Sequence, residues 1–580
     1  MNNITDKKQI VKILNKTATL LELGGANFFK VRAYHIAASA LESSDIEIEK
    51  DISVPVLQEI KGIGANIARH IKELIDNGTF KEYEDLKKTT PPGLIEMLKI
   101  PGMGAKKIHY LFDTLQIADI DTLELACKKD KLMDLPGFGK KSQENILKGI
   151  RVLRKYQEKY LYGEVISEAV AVIEKIKSRK EVIRASLGGS VRRKNEIVKD
   201  IDIVASTADP LSVMDFFTNM DEAEDIIAKG NTKSSIRIRS GINIDIRTVT
   251  DEQYPYALHH FTGSKEHNTA MRSMAKKMGI KMNEYGLFKD DKLIKCKSEE
   301  DIFAVFSMDF IPPELRENFG EIEAAKKGTL PDLVKDEDIR GLIHIHTNYS
   351  DGHMTLEQTV GEAKKMGLKY IGISEHSRSA WYAGGMQEKD IDSHLEDIDR
   401  LNKKLKDFKI FKGIESDILN DGSLDYSDEI LQKFEFVIIA IHSNFNMARD
   451  QMTERIIKAV QNPFSTILAH PTGRLLLERD PYEVDIKKVI DEVSIHDVAL
   501  ELNANPSRLD LDWRSAKYAH EKGVKVFINP DAHSIDTLYD YSFGINIARK
   551  GWLESKDIAN TLSLKQMETY LKNKKGKTVV

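Results

Sequence analysis

Residues Ser186–Ser206 read SLGGSVRRKNEIVKDIDIVAS, and the order of residue types in this stretch decides the fold around it. A Gly-Gly turn leads to a hydroxyl and two cations, and then to a run in which acids alternate with β-branched residues. Alternation of period two predicts a strand. On that strand Asp200 and Asp202 share one face, while Ile201 and Ile203 point into a core. Further on, NIDIR (243–247) repeats the alternation and adds Asp245. Three convergent carboxylates supply the oxygen ligands that two Mg²⁺ ions need and leave positions for phosphates. The turn Gly188–Arg193 suits a triphosphate, its cations neutralising a pyrophosphate leaving group.

Upstream lie three similar pieces: IKGIGANIARHI (60–71), IPGMGAKKIHYL (100–111) and LPGFGKKSQENI (135–146). Each is an apolar residue, a G-x-G turn and a new helix, the pattern of a helix-hairpin-helix. The pairs Gly62 and Gly64, Gly102 and Gly104, and Gly137 and Gly139 let the backbone approach a phosphate, where the next helix N-terminus offers its N–H groups. Around the first piece, Ile10, Ile13, Leu14, Thr17, Leu20 and Leu21 recur at helical spacing. Residues 86–160 carry 15 Lys and Arg against 9 Asp and Glu, a local excess of six positive charges. The whole chain has a formal charge of −5, so a basic module rides on acidic partners.

At 580 residues the chain exceeds one hydrophobic core, and 41% hydrophobic with 31% charged residues is ordinary globular composition. Cys127 and Cys296 are the only cysteines, which excludes a disulfide framework and a thiolate zinc site. Any metal is therefore held by His and carboxylates. The start, NNITDKKQ, is polar, and the apolar stretch near Phe436 to Ala448 is too short for a bilayer, so the expected location is the cytoplasm, with no membrane partner.

G-G-S-x-R-R followed by D-I-D and I-D-I-R resembles a family X DNA polymerase, the family of DNA polymerase beta. HHFTGSKEHNTAMRSMAKKMGIKMNEYGLF (259–288) resembles that family's nucleotide-binding subdomain, and the hairpins match its DNA-binding subdomains. The resemblance spans about 1–317 and implies Asp200, Asp202 and Asp245 as ligands of two Mg²⁺ ions, with Asp245 accepting the primer hydroxyl proton. It implies Gly189, Ser190 and Arg193 at the triphosphate; Phe261, Gly263 and Ser264 beside the sugar; Asn268 at the base edge or minor groove; and Arg272 on the template. Lys30 and Tyr34 match the family's DNA-end-binding residues. His260 stands where a Tyr is common, which touches discrimination against ribonucleotides. Asn66 and His70 stand where lyase-active members carry lysines. An imidazole cannot form the Schiff base, so abasic-site lyase activity is expected to be weak or absent.

The last part of the chain holds HIHTNYSDG (344–352), SEHS (374–377), GIES (413–416), AIHS (440–443), LAHP (468–471) and PDAHS (530–534). Most follow a short apolar run, which places the polar residues at strand C-termini, where an α/β barrel carries its chemistry. This set resembles the PHP domain, the polymerase and histidinol phosphatase phosphoesterases, over 339–570. The resemblance implies His344, His346, Asp351, His376, Glu415, His442, His470, Asp531 and His533 as ligands of up to three Mn²⁺ or Zn²⁺ ions. It also implies hydroxide attack on a phosphoester in line.

The expected architecture is multidomain, and its first part is helical: a DNA-end-binding domain (1–85) and a helix-hairpin-helix subdomain (86–160). An α+β nucleotidyltransferase palm (161–255), a nucleotide-binding subdomain (256–318), a linker (319–338) and a distorted α/β PHP barrel (339–580) follow. The linker reading makes the two sites independent. The expected activity is gap filling on DNA from dNTPs by a monomer, with a Mn-dependent 3′-5′ exonuclease in the barrel. Other readings of the same residues are untemplated nucleotide addition, a DNA-end-binding scaffold with a structural barrel, or a barrel acting as a phosphatase or AP endonuclease.

Overall fold

The computed structural model describes residues 7–576 apart from 43, 45, 47, 50, 101, 156 and 157; the first part of the polar N-terminal segment and Pro101 of the second hairpin lie outside the described residues. The chain forms two compact units, 1–157 and 158–580.

The first unit is helical, from Lys7–Leu23 to Lys140–Lys155, and has two cores. Ile10, Leu14, Leu41, Ile71 and Leu74 fill one; Met97, Ile108, Leu111, Leu123 and Ile150 fill the other. The three G-x-G pieces close with the same backbone bond: the N–H groups of Ile63, Met103 and Phe138 each donate over 3.0 Å to the carbonyl three residues back, at Ile60, Ile100 and Leu135. The intervening Gly62, Gly102 and Gly137 have φ of 112°, 80° and 80°, a region that L side chains avoid. Their apolar neighbours Ile63, Met103 and Phe138 are buried, which orients each turn.

The second unit begins with a five-stranded sheet ordered Val182–Leu187, Asp200–Thr207, Asn243–Val249, Lys233–Ile238, Ala223–Lys229. Asp200–Thr207 and Asn243–Val249 run parallel, and the other pairs run antiparallel. Helix Tyr162–Lys177 covers its apolar face through Val165, Ala169 and Val172. Helices Tyr254–Thr262 and Lys265–Lys277 and a small antiparallel sheet follow.

Seven parallel strands from Gly341–Ile345 to Val526–Asn529 then follow one another in chain order, the arrangement of a barrel wall. A parallel bridge between Ile345 and Ala532 brings the last strand back to the first. Six of the strands are buried throughout, and the other, Lys409–Asp417, is buried except at Lys409 and Lys412, which is why most of them read as continuous apolar runs without alternation.

The stretch 319–338, expected as a linker, is instead packed against the structure on both of its sides. It holds helix Glu321–Lys327, and the Glu321 carboxylate is fully buried against His267 Nδ1 at 2.7 Å. Phe319 lies edge-on to Trp513 of the barrel, and Val334 donates its N–H to Leu553 O at 3.1 Å. Lys326, Lys327 and Gly328 form a helix end, Gly328 taking φ 65° as its cap. The residues that punctuate a flexible segment are the same ones that stop a short helix.

Candidate functional site

Register places the palm carboxylates together. Asp202 pairs with Asp245 across the parallel strands, and Asp200 precedes Asp202 on the same face, while Ile201, Ile203, Ile244 and Ile246 are buried behind them. Burial, and then the charges of Asp200 and Asp245, push the Asp202 carboxyl up to about 7; the same effects raise Asp200. Lys233 Nζ lies 3.1 Å from Asp245 Oδ2. Acids that repel each other this strongly fit a site made for divalent cations, whose charge removes the repulsion. Gly188 donates its N–H to Asp202 O at 2.7 Å, and a Cβ on Gly189 would collide with the Asp202 carboxylate. The double glycine is thus fixed by close approach of the turn to the acids.

The neighbouring residues are less available. Arg193 donates to Glu317 (3.0 Å) and to Thr262 O (2.8 Å), and Arg192 donates to Thr262 and Glu299 (both 2.6 Å). Glu317 is in turn engaged by Lys550 of the barrel, whose ammonium is 2% exposed and also donates to Arg193 O (3.3 Å) and Glu314 O (3.4 Å). Ser264 serves as N-cap of helix Lys265–Lys277, accepting from His267 N, and is buried. Ser190 is half-buried at the turn. Asn268 Nδ2 donates to His260 O at 2.7 Å, whereas its buried Oδ1 finds no hydrogen-bond partner among the described residues. Gly263 is needed there because a Cβ would stand 2.7 Å from that oxygen. Arg247 lies over the Phe261 ring (4.8 Å), and exposed Arg272 lines a small cleft with His260, Asn268 and Asn283.

In the first unit Lys30 pairs with Glu82, and Tyr34 Oη bonds Glu82 (2.7 Å) and His70 Nδ1 (2.8 Å). The His70 ring is stacked on Phe80 at 4.5 Å. Gly64, Gly102, Gly104, Gly137 and Gly139 face open space, so packing within the chain does not exclude a side chain there.

At one end of the barrel the nine expected ligands come together in overlapping groups whose donor atoms lie within 4.8 Å of one another: His346, Asp351, His376 and His533; His344, Glu415 and His470; His344, His346 and Asp531; and His376, Glu415 and His442. Glu415 belongs to two of them, with oxygens 2.8 Å from His376 Nδ1, 3.1 Å from His470 Nε2 and 3.3 Å from His442 Nε2. Burial opposes charge, but His442, His376 and His344 outweigh it and hold the Glu415 carboxyl well below the usual range. His346 is driven down to about 3 by burial and by His376 beside it.

His344 Nε2, both nitrogens of His346, Asp351 Oδ1 and Glu415 Oε2 are buried and have no hydrogen-bond partner among the described residues. Inward-facing imidazole and carboxylate lone pairs of this kind fit metal ions. His344, His470 and Asp531 also take left-handed backbone, at φ of 62°, 28° and 52°, strain of about 1–3 kcal/mol each that the barrel imposes.

Supporting residues had no motif to announce them. Glu501 sits 2.5 Å from His344 Nδ1 and accepts from His470 N (2.9 Å) and Asn529 Nδ2 (3.0 Å). Asp417 fixes His442 Nδ1 at 2.6 Å. Glu375 accepts from Thr347 and Ser350, which sets the loop that carries Asp351. Asp417 closes the run KIFKGIESD and Glu501 interrupts the buried run ALELN, and an acid in such a strand was the available signal.

Family models match four segments: a helix-hairpin-helix domain at 5–80, a SAM-like helix-hairpin-helix tandem at 94–151, a DNA polymerase beta thumb at 257–317 and a PHP domain at 343–505. The chain is 38% identical over 570 residues to the DNA polymerase/3′-5′ exonuclease PolX of Bacillus subtilis (strain 168), covering 98% of this chain and 99% of the Bacillus protein. A "Probable phosphatase" of Thermoanaerobacter sp. (strain X514) is 28% identical over 252 residues, 40% of this chain and 95% of that protein. Another from Clostridium acetobutylicum is 28% identical over 250 residues, 40% of this chain and 94% of that protein.

Proposed function

The chain belongs to the PolX family of DNA polymerase/3′-5′ exonucleases, and on that premise we propose that it fills short gaps in DNA and trims 3′ ends in repair. The observation that carries this reading is the presence of two chemically distinct acid sites in one chain: the palm triad in register and the histidine-rich barrel centre.

In the palm, Asp245 takes the proton of the primer 3′-hydroxyl as its oxygen attacks the α-phosphorus of a dNTP and pyrophosphate leaves. Two Mg²⁺ ions on Asp200, Asp202 and Asp245 would neutralise the phosphates. Arg193 and Ser190 receive the triphosphate beside Gly189, Phe261 and Gly263 flank the sugar, Ser264 holds their helix, and Asn268 and Arg272 read the base and template. Lys30, Tyr34 and the hairpin glycines hold the DNA backbone.

In the barrel, water joins the phosphorus of the terminal nucleotide and the bond to its neighbour's 3′-oxygen breaks, releasing a nucleoside monophosphate. Up to three Mn²⁺ or Zn²⁺ ions on the nine ligands would lower the pKa of that water. Both sets of residues lie in one chain, which supports a monomer, and the likeness to a Bacillus protein supports a cytoplasmic location. Among the described residues no helix is long and apolar enough to cross a membrane.

The test is one sample on a gapped primer-template, with and without dNTPs, in Mg²⁺ and then Mn²⁺. Extension with dNTPs and shortening without them is expected. Failure of templated extension overturns the polymerase reading, and release of phosphate from a 3′-phosphorylated end without shortening would favour a phosphatase, as the barrel-only relatives are named.

A further inference from the structure

Beside the barrel centre opens a cleft of about 690 Å³, lined by His442 and Asp417 on one side and by Trp381 and Tyr382 on the other. These are among the more exposed large side chains of the described residues, Trp381 at 82% and Tyr382 at 59%. Solvent-exposed aromatic pairs carry information because folding gives no reason to keep them there.

The turn that carries them is firmly built. Met386 N donates to His376 O (2.8 Å), Ala380 N to Ser377 O (3.0 Å) and Gly385 N to Ala380 O (3.1 Å). Ser379 donates from N and Oγ to Asp425 (2.7 and 2.6 Å), and Ala380 and Ala383 are buried on either side of the aromatic pair. The two rings are thus displayed on a short anchored turn directly after the ligand His376, 6.2 Å apart and nearly perpendicular. Tyr382 shares the lining of the cleft with Asp417 and with the ligand His442, which puts that ring beside the ligand cluster.

The chemistry of the lining selects the occupant. No Lys or Arg lies among its described lining residues, and Asp417, Asp421 and Asn420 supply oxygens instead. Adjacent Arg378 is already paired with Glu388 and Asp425. A phosphate is unwelcome here; a neutral ring that stacks is not. Cations around it are engaged from outside the lining: Lys458 with Asp421 (3.6 Å) and Arg455 with Ser443 O (3.0 Å), while Arg508 stands 3.9 Å from Asp531 on the ligand side.

We propose that Trp381 and Tyr382 form a stacking platform for an unpaired nucleobase at the 3′ end of a DNA strand, holding it while its phosphodiester lies at the barrel centre. The inference rests on the exonuclease reading above and names what that site grips: frayed or single-stranded termini, whose bases are free to stack. Base stacking is tolerant of sequence, so trimming proceeds past any terminal base.

The test is steady-state shortening of 5′-labelled single-stranded DNA by the full chain in Mn²⁺, comparing an ordinary 3′ end with one whose last nucleotides are abasic. For wild type the abasic end raises KM about tenfold. Trp381→Ala raises KM to the same degree on the ordinary end, changes kcat little and is indifferent to the abasic change; Trp381→Phe recovers most of the loss. Wild-type KM in Trp381→Ala, or an equal loss on both ends, overturns the proposal. A second measurement needs no variant: of the other tryptophans Trp513 is buried and Trp552 half-buried, so quenching of wild-type fluorescence by a thymidine oligonucleotide reports chiefly the exposed Trp381. Quenching by the abasic oligonucleotide equal to that by the thymidine one also overturns it. His344→Ala separates the two levels: continued shortening by that variant refutes the exonuclease reading itself, whereas its loss alongside an unaffected Trp381→Ala refutes only the platform.

Discussion

Asp202 of the palm and Asp531 of the barrel are both carboxylates at the heart of a site, yet the protein treats them oppositely. Burial and two like charges push Asp202 up to about 7, with Lys233 the nearby ion-pair partner, on Asp245. Burial acts on Asp531 in the same sense, but His344, His346 and His533 overcome it and keep the acid well below the usual range. The palm leaves most of the charge of its three acids unbalanced, Lys233 at Asp245 apart. The barrel balances its charge internally and then locks the geometry with Glu501, Asp417 and strained backbone. One site keeps mutually repelling acids; the other is compensated by its own imidazoles.

The largest effect should come from removing an acid or imidazole outright. Asp245→Ala should lower gap filling by about a thousandfold or more while shortening of single-stranded DNA persists, and His344→Ala should do the reverse. Primer extension and 5′-label degradation on the same preparations check this, and loss of both activities in either variant would break the contrast.

Next in size is the internal support of the barrel. Glu501→Gln keeps the shape but removes the charge behind His344, so Mn²⁺ affinity should fall about 10–100-fold and excess Mn²⁺ should restore degradation. Metal titration of the activity decides it. Glu501 belongs to the barrel, and Mg²⁺ dependence of extension should be unchanged in this variant.

A smaller effect should cross between the sites. Lys550→Met leaves Glu317 paired with Arg193 alone, so Arg193 is held away from an incoming triphosphate and the dNTP KM should rise on the order of fivefold. Degradation kinetics should stay at wild type. An unchanged dNTP KM would restore full independence of the two sites. The least signal of all is expected from borohydride trapping on incised abasic DNA, because His70 offers no amine and lies stacked between Tyr34 and Phe80. Efficient trapping at a lysine before residue 86 would show another amine in its place.

The order of elements was legible because it rests on local pattern: the period of two around Asp200, the apolar runs of the barrel strands, and the repeated G-x-G that yields three identical backbone bonds. That the nine His, Asp and Glu residues of the dense motifs come together was legible for the same reason. Long-range pairing was not. That Arg193 would be engaged by Glu317, Lys30 by Glu82 or His344 by Glu501 depends on residues far apart in the chain, each an ordinary acid in its own neighbourhood. The stretch 319–338 misled for a further reason: a seven-residue helix with a glycine cap has too few turns to show a period, and it is burial of Glu321 against His267 that makes it structure.

The buried ammonium of Lys550 has a bearing on how such a chain can change over generations. A truncation that discarded the barrel would leave Glu317 with Arg193 as its remaining cationic partner, tightening its hold on the arginine proposed for the triphosphate. Individual metal ligands of the barrel could drift without touching synthesis, but the polypeptide around Lys550 could not be shed. A degraded barrel would therefore persist as a silent buttress long after its chemistry had lapsed, and lineages that no longer trim ends would still be expected to carry its shell.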